Sequence, residues 1–121
     1  MAINNYRNLV VWQAAMRFAE SAYKATQVFP PSERYGLSPQ LQRAATSIPS
    51  NIAEGHGRRS RREFARFLSI SLGSVAEVET QVLLAKRLSY LNDSEADQLM
   101  IQADEIGRMP YSLRGKMRAS S

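Results

Sequence analysis

The chain has 121 residues, 44% of them hydrophobic, which is typical of one globular domain and excludes a disordered chain. Its 16 Lys and Arg residues exceed its 11 Asp and Glu residues, and the net charge of +5 favours an anionic partner. The lack of cysteine excludes disulfides, zinc–thiolate sites and a thiol nucleophile.

No apolar run reaches the roughly 18 residues that a membrane span requires. The first residues also lack the apolar core of a signal peptide, so the sequence predicts a cytoplasmic protein without a membrane segment. Residues 1–121 are interpreted as a single domain.

Apolar residues recur at steps of three and four in the first part of the chain, which indicates a helix over about residues 9–28. Asn8 is its predicted N-cap, and the two prolines that follow Phe29 end it. Its apolar stripe comprises Leu9, Trp12, Met16, Ala19, Tyr23 and Thr26.

A second helix is expected over about residues 39–55, with Ser38 as its N-cap and Pro39 at the first helical position. Pro49 lies inside this segment and predicts a bend, because proline removes one hydrogen bond of the helical ladder. Gly55 and Gly57 then suit a helix C-terminus, where a positive φ favours glycine.

A third helix is expected over about residues 61–88, beginning at a capping box formed by Ser60 and Glu63. Its predicted buried face comprises Phe64, Phe67, Leu68, Ser71, Leu72, Val75, Val78, Val82 and Ala85. A fourth helix follows over about residues 95–117, capped by Ser94 with Asp97 and bent or frayed at Pro110. Four amphipathic helices with short connections predict an all-α, antiparallel up-down-up-down four-helix bundle.

The segment between the second and third helices carries an unusual concentration of arginine, namely Arg58, Arg59, Arg61, Arg62 and Arg66. Arg61 and Arg62 fall in the first turn of a helix, where the macrodipole already supplies positive potential. A bound anion, such as a nucleic-acid phosphate, would explain this placement, and a solvated charged face is the alternative. Few aromatic residues interleave the arginines, so any recognition is expected to involve the nucleic-acid backbone and shape rather than base stacking.

Enzyme chemistry has few candidate residues in this sequence. His56 is the only histidine and is predicted to be a solvated loop residue, so neither a His-based metal site nor a Ser-His-Asp triad is supported. Glu54 and Glu63 could form an acid–base pair, but helix capping and arginine neutralisation explain them better. Glu79 lies at the edge of the buried arc and predicts an ion pair with an arginine such as Arg43. No catalytic residue, metal or cofactor is predicted.

A second surface concerns assembly. Ile70 and Leu84 lie on the back of the third helix, and smaller residues, Gly73, Ala76 and Thr80, lie between them. Scattered exposed apolar residues are normal in monomers. Two aliphatic residues separated by small ones, however, form a face that another helix can approach closely. We therefore interpret Ile70, Gly73 and Leu84 as an oligomer interface.

Several motifs resemble those of a known family. They are Leu9-x-Val11-Trp12-Gln13-x-Ala15, Phe29-Pro30, Tyr35-Gly36-Leu37, Gln40-Leu41-x-Arg43-Ala44-Ala45-x-Ser47-Ile48-x-x-Asn51-Ile52-Ala53-Glu54-Gly55, Gly57-Arg58, Glu63-Phe64-x-x-Phe67-Leu68-x-Ile70, Gly73-Ser74, Glu77-x-Glu79 and Ile106-Gly107-Arg108-Met109. The chain is similar to the four-helix bundle proteins, also called 23S rRNA intervening-sequence proteins. The similarity spans nearly the whole sequence.

The resemblance implies a small bacterial helical bundle, since some members are encoded within insertions in the large ribosomal RNA gene. The family is similar to the accessory proteins of diversity-generating retroelements, which form five-membered rings and bind a reverse transcriptase and nucleic acid. The resemblance therefore implies a homopentamer and, as partners, RNA or DNA and possible protein partners such as a reverse transcriptase.

Two functions remain open on the sequence. The first is a non-enzymatic, oligomeric adaptor that binds the backbone of RNA or DNA. The second is a protein-interaction scaffold whose arginines keep it soluble or contact an acidic protein surface.

Overall fold

The computed structural model describes the backbone of residues 5–119 and the side chains of residues 5–109. Four helices occupy most of this range: α1 (Val10–Thr26), α2 (Leu37–Gly57), α3 (Arg61–Arg87) and α4 (Asp93–Ala119). Single 3-10 turns lie at Tyr6–Asn8 and Pro31–Glu33. No strand occurs between residues 5 and 119, and the prediction of an all-α fold is confirmed.

The helices pack as a four-helix bundle in which α2 contacts α1 and α3, and α4 contacts α3 and α1. The Ser47 and Ser74 hydroxyls are 2.7 Å apart, and Gly55, further along α2, lies against Phe67, which comes earlier in α3. Because the contacts advance along one helix as they recede along the other, α2 and α3 are antiparallel. The α2–α3 connection contains only residues 58–60.

The N-terminus of α1 differs from the prediction. Asn8 belongs to the 3-10 turn before the helix, and Asn5 caps that turn by accepting a hydrogen bond from the Arg7 N–H at 3.0 Å. The residue that precedes α1 is Leu9, which supplies no side-chain cap. The predicted cap at Asn8 is therefore wrong, because an additional turn intervenes.

Helix α2 begins earlier than predicted, at Leu37, and runs without interruption through Pro49. The Leu37 N–H donates to the carboxylate Oε1 of Glu33 at 2.8 Å, so Glu33 takes the capping role predicted for Ser38. The continuous helix predicted across Pro49 is confirmed, and Pro49 itself is buried.

A capping box also begins α4, but it uses different residues from those predicted. The Asn92 N–H donates to Glu95 Oε1 at 2.8 Å, and the Glu95 N–H donates to Asn92 Oδ1 at 2.8 Å. The predicted pair of Ser94 and Asp97 is therefore wrong by two positions. Pro110, where a bend is predicted, lies outside residues 5–109, whose side chains the structure describes.

The buried face of α1 includes only two members of the predicted apolar stripe, Ala19 and Thr26, while Leu9 and Trp12 are partly buried against the core. This face is rich in small residues: Val11, Ala14, Ala15, Phe18, Ala19, Ala22 and Thr26. Met16 and Tyr23 are each 45% exposed, and Trp12 is half-buried. Small side chains allow the helix axes to approach closely, so the alanine-rich face packs inward together with the fully buried Phe18, and Trp12, Met16 and Tyr23 lie at its flank.

The buried face of α3 follows the prediction closely. All of the predicted positions are buried except Leu72, which is half-buried. Gln81 is an unpredicted member, and its buried Oε1 has no hydrogen-bond partner among the described residues. Glu79 is half-buried, and no ion pair joins it to Arg43 within residues 5–109, so the predicted structural pair is wrong. The polar residue buried at this level is an uncharged amide.

One helix of the described part of the chain, α3, is long and apolar enough by length and composition to cross a membrane. Its apolar residues are concentrated on the face that packs against α2 and α4. A core helix of a soluble protein passes the same test, so this feature is weak support for a span.

Candidate nucleic-acid interface

The corner between α2 and α3 turns through an arginine rather than a glycine. Arg59 has φ of 56°, and none of the described glycines has a positive φ. The left-handed conformation was predicted at Gly55 or Gly57, and this prediction is wrong because the conformation occurs at Arg59. A non-glycine residue held in this region costs on the order of 1 kcal/mol. Ser89, in the connection between α3 and α4, has the same conformation with φ of 64°, so the conformation is a feature of both helix connections.

Gly55 has a different role, which is close helix packing. It is buried inside α2, and a Cβ atom at this position would lie 2.5 Å from the Cβ of Phe67 in α3. Only a residue without a side chain permits this approach. The contact fixes the crossing of α2 and α3 immediately before the arginines.

Two of the five predicted arginines make intramolecular contacts with Phe67. The guanidinium carbons of Arg58 and Arg66 lie 5.2 and 4.7 Å from the centroid of the Phe67 ring. Arg58 also pairs with Glu54 at 2.8 Å, and Arg66 pairs with Glu63 at 3.2 Å. Arg58 and Arg66 therefore contribute to the fold, because they cover an aromatic ring that is only 6% exposed.

Glu63 links the cap of α3 to the arginines. The Glu63 N–H donates to the Ser60 hydroxyl at 3.3 Å, which confirms Ser60 as the N-cap. The hydrogen bond from Arg66 is the main cause that holds the pKa of the Glu63 carboxyl below its ordinary value, and the charges of Arg66, Arg58 and Arg62 add to it. Glu63 therefore stays ionised and neutralises part of the cluster.

The other three predicted arginines extend the charge outward. Arg59, Arg61 and Arg62 are exposed at the turn and in the first turn of α3. The side chains of Arg59 and Arg62 make no hydrogen bond or ion pair within residues 5–109. Guanidinium groups of this kind present several donors to a phosphate while the helix N-terminus supplies further positive potential.

The residues considered for catalysis are not assembled into an active site. His56 is in the last turn of α2 rather than in a loop, is half-buried, and packs edge-on against Phe64 with 5.9 Å between ring centroids. Glu54 and Glu63 each pair with a separate arginine. Within the described part of the chain, no group of three or more His, Cys, Asp or Glu residues could hold a metal ion.

The outer face of α3 carries the predicted assembly residues. Ile70 is 41% exposed and Leu84 is 46% exposed, and no described atom lies within 4 Å of a Cβ built on Gly73. The sequence interpretation missed two further apolar residues, Leu83 and Leu88, which are 45% and 46% exposed. Leu83 lies three residues after Thr80 and Leu88 lies four residues after Leu84, and this helical spacing was the available signal.

A groove between α1 and α2 is a further feature that the sequence interpretation missed. It is an open space of about 600 Å³ with an aromatic lining from Tyr6, Trp12 and Tyr23. Tyr6 and Trp12 meet edge-on with their ring centroids 5.3 Å apart. The signal was present in the sequence, since Trp12 and Tyr23 share one face of α1, but that face was assigned to the core.

The sequence matches one protein family over residues 7–112, which includes the arginine corner and the outer face of α3. The chain belongs to the 23S rRNA-intervening sequence protein family. This chain is similar to a solved structure from Bacteroides thetaiotaomicron, that of a protein with unknown function from the S23 ribosomal protein family. The two have a TM-score of 0.77 and 27% sequence identity. The similarity covers 87% of this chain and 98% of that one. No curated protein matches the chain closely enough to count as a relative.

Proposed function

We propose that this family member is a non-enzymatic protein that binds the backbone of RNA or DNA through the arginine corner. The arginine corner comprises Arg58, Arg59, Arg61, Arg62 and Arg66. The observation that carries the proposal is the exposure of Arg59 and Arg62, which have no intramolecular ion pair among the described residues. The family name, which refers to an intervening sequence of 23S rRNA, supports the same class of partner.

The structure divides the corner into two groups. Arg58 and Arg66 cover Phe67 and pair with glutamates, whereas Arg59 and Arg62 are exposed without an ion pair among the described residues, and Arg61 is exposed beside them in the first turn of α3. If these three arginines each neutralise one phosphate, the logarithm of the association constant should fall with the logarithm of salt concentration with a slope near −2.7 for duplex DNA. Phosphate contacts carry no sequence information, so little sequence preference is expected.

The decisive experiment compares two double variants with the same loss of charge. Arg59→Gln with Arg62→Gln should flatten the salt slope by about 1.8 units, because two phosphate contacts are lost. The control combines Arg34→Gln with Arg87→Gln, which removes two exposed arginines near the other end of the bundle. Its salt slope should stay close to that of the parent protein. Binding would be measured by fluorescence anisotropy with labelled RNA and DNA at several salt concentrations. Equal slopes for the two double variants would show that the corner is only a solvated surface.

We further propose that the protein forms a homo-oligomer through the outer face of α3, with a pentamer expected from the family resemblance. The exposure of Ile70 and Leu84 supports this assembly, because both aliphatic side chains lie on a face with space at Gly73. An oligomer would repeat the arginine corner and make phosphate binding multivalent. A protein-interaction scaffold without nucleic acid is the alternative, and it predicts no binding to RNA or DNA at low salt.

A further inference from the structure

The groove between α1 and α2 presents aromatic surface to solvent. It forms because α1 packs through its alanine-rich face, which leaves the larger side chains on the flank nearest α2. Tyr6, Trp12, Met16 and Tyr23 line one side, and Pro49 and Ala53 of α2 line the other. Tyr23 is 45% exposed, so part of its side chain is open to a ligand. The lining is predominantly apolar and aromatic, and its polar members are Arg17, Glu20, Thr46 and Ser50.

The charges around this groove are predominantly positive. Arg17 lines the groove and is exposed, and it makes no ion pair among the described residues. The guanidinium carbon of Arg7 lies 5.6 Å from the centroid of the Tyr6 ring. The one carboxylate of the lining, Glu20, pairs with Lys24 at 3.5 Å. The groove therefore combines exposed aromatic surface, chiefly at Tyr23, with cations, and Lys24 compensates its acidic group.

The groove also continues toward the arginine corner. Ala53 lines the groove one turn before the end of α2, and Arg58 follows five residues later, in the connection between α2 and α3. Glu54, which lies between them, is paired with Arg58 at 2.8 Å. The groove therefore ends close to the arginine corner, at the same end of the bundle.

We propose that the α1–α2 groove stacks unpaired bases of a single-stranded nucleic acid whose backbone is held at the arginine corner. This inference rests on the proposed nucleic-acid function and specifies its substrate as single-stranded rather than duplex. Aromatic stacking platforms beside a cationic path are how proteins bind single strands without sequence preference. A duplex hides its base faces inside the stack, so it can use the arginines but not the groove. The stacking side chains come from α1 rather than from the arginine segment, which is why the sequence pattern did not indicate stacking.

The test uses the full-length protein and its single tryptophan, Trp12. The probes are a twelve-nucleotide oligouridylate, a twelve-nucleotide oligothymidylate and a DNA duplex of equal length. Stacking of a base in the groove should quench the Trp12 fluorescence with either single strand, in step with binding measured by anisotropy. The duplex should bind through the corner without this quenching.

A pair of tyrosine variants isolates stacking from charge. Tyr23→Leu keeps an apolar side chain in the groove but removes the ring, and it should weaken single-strand binding about 5- to 100-fold. Duplex affinity and the salt slope should stay at the values of the parent. Tyr35→Leu is the control, since Tyr35 is 88% exposed and lies outside the groove. This control should bind both probes like the parent.

The outcomes separate the groove from the corner. If the Arg59→Gln and Arg62→Gln double variant loses binding while Tyr23→Leu binds single strands like Tyr35→Leu, the corner is retained and the stacking groove is wrong. Equal Trp12 quenching by duplex and single strands would also overturn the groove. If no probe binds at low salt, the proposed function and this inference both fail. Trp12 fluorescence that changes with protein concentration alone, and not with oligonucleotide, would assign the groove to contact between copies of the chain and overturn the proposal.

Discussion

Gly55 and Phe67 are so close that a Cβ atom on the glycine would lie 2.5 Å from the Cβ of the phenylalanine. This contact brings α2 and α3 together immediately before the arginine corner. It also leaves the Phe67 ring accessible to the guanidinium groups of Arg58 and Arg66 from the neighbouring turns. The geometry of the charged corner therefore depends on a glycine that lies outside the corner itself.

Replacing Gly55 by alanine should destabilise the protein by roughly 1–3 kcal/mol, because the added methyl group must displace Phe67 or separate the helices. Urea denaturation followed by circular dichroism would measure the change. Gly57→Ala is the control, since no described atom lies within 4 Å of a Cβ at that position and the backbone has no positive φ. If both variants unfold at the same urea concentration, the close contact does not limit the packing.

Neutralising Arg58 and Arg66 should reduce stability, in contrast to neutralising Arg59 and Arg62. Loss of the two cation–π contacts with Phe67 is expected to cost about 0.5–1 kcal/mol each, since the guanidinium groups remain partly exposed. The exposed ion pairs with Glu54 and Glu63 should add little. Thermal unfolding of the Arg58→Gln, Arg66→Gln double variant would test this. A midpoint equal to that of the Arg59→Gln, Arg62→Gln variant would contradict a structural role.

Glu33 should make the stability of the protein sensitive to acid. The Leu37 N–H is the main cause that lowers the pKa of the Glu33 carboxyl, and the Tyr90 hydroxyl, 2.9 Å away, adds to it. Since the pKa is lower in the folded state, the stabilisation is present above the ordinary carboxyl value near 4.5 and is lost as the pH falls through the folded value. Glu33→Gln should therefore show a shallower fall of the melting temperature on acidification than the parent.

Tyr90→Phe provides an intermediate case for the same experiment. It retains the ring packing on Phe29, whose centroid is 5.4 Å away, but removes the hydroxyl that donates to Glu33. Its acid dependence should lie between those of the parent and Glu33→Gln. Glu77→Gln is the control, because Glu77 is exposed and makes no described hydrogen bond. An acid dependence of Glu33→Gln identical to that of the parent would exclude Glu33 as a source of acid sensitivity.

Replacing Ile70 and Leu84 together by glutamate should dissociate the proposed oligomer and leave the helical circular dichroism largely intact. Both side chains are exposed on α3, so a monomer tolerates glutamate at these positions. A protein interface would instead bury the two carboxylates without compensation. Light scattering would measure the mass. Glutamate at Val28 and Ile101, which are 56% and 60% exposed elsewhere on the bundle, provides the matched control. A monomeric parent, or an unchanged mass in the Ile70 and Leu84 variant, would be incompatible with this interface.

Local patterns in the sequence were sufficient for the helices and for part of the site. The buried face of α3 and the Ser60 cap depend on residues within one or two turns of each other, so helical periodicity and capping chemistry predict them directly. The arginine corner was predicted for a similar reason, because its five side chains lie within one short segment between two helices. The caps of α1, α2 and α4 were missed where a 3-10 turn or a neighbouring connection supplied the partner.

Tertiary packing decided what these elements do. Sequence hydrophobicity favoured the stripe that contains Trp12 and Tyr23 as the core of α1, but close helix approach selected the face of Ala14, Ala15 and Ala22. Packing likewise assigned Arg58 and Arg66 to the Phe67 ring and left Arg59 and Arg62 exposed. Periodicity shows which residues share a helix face, whereas the distance between helices determines which face is buried, and only the folded bundle sets that distance.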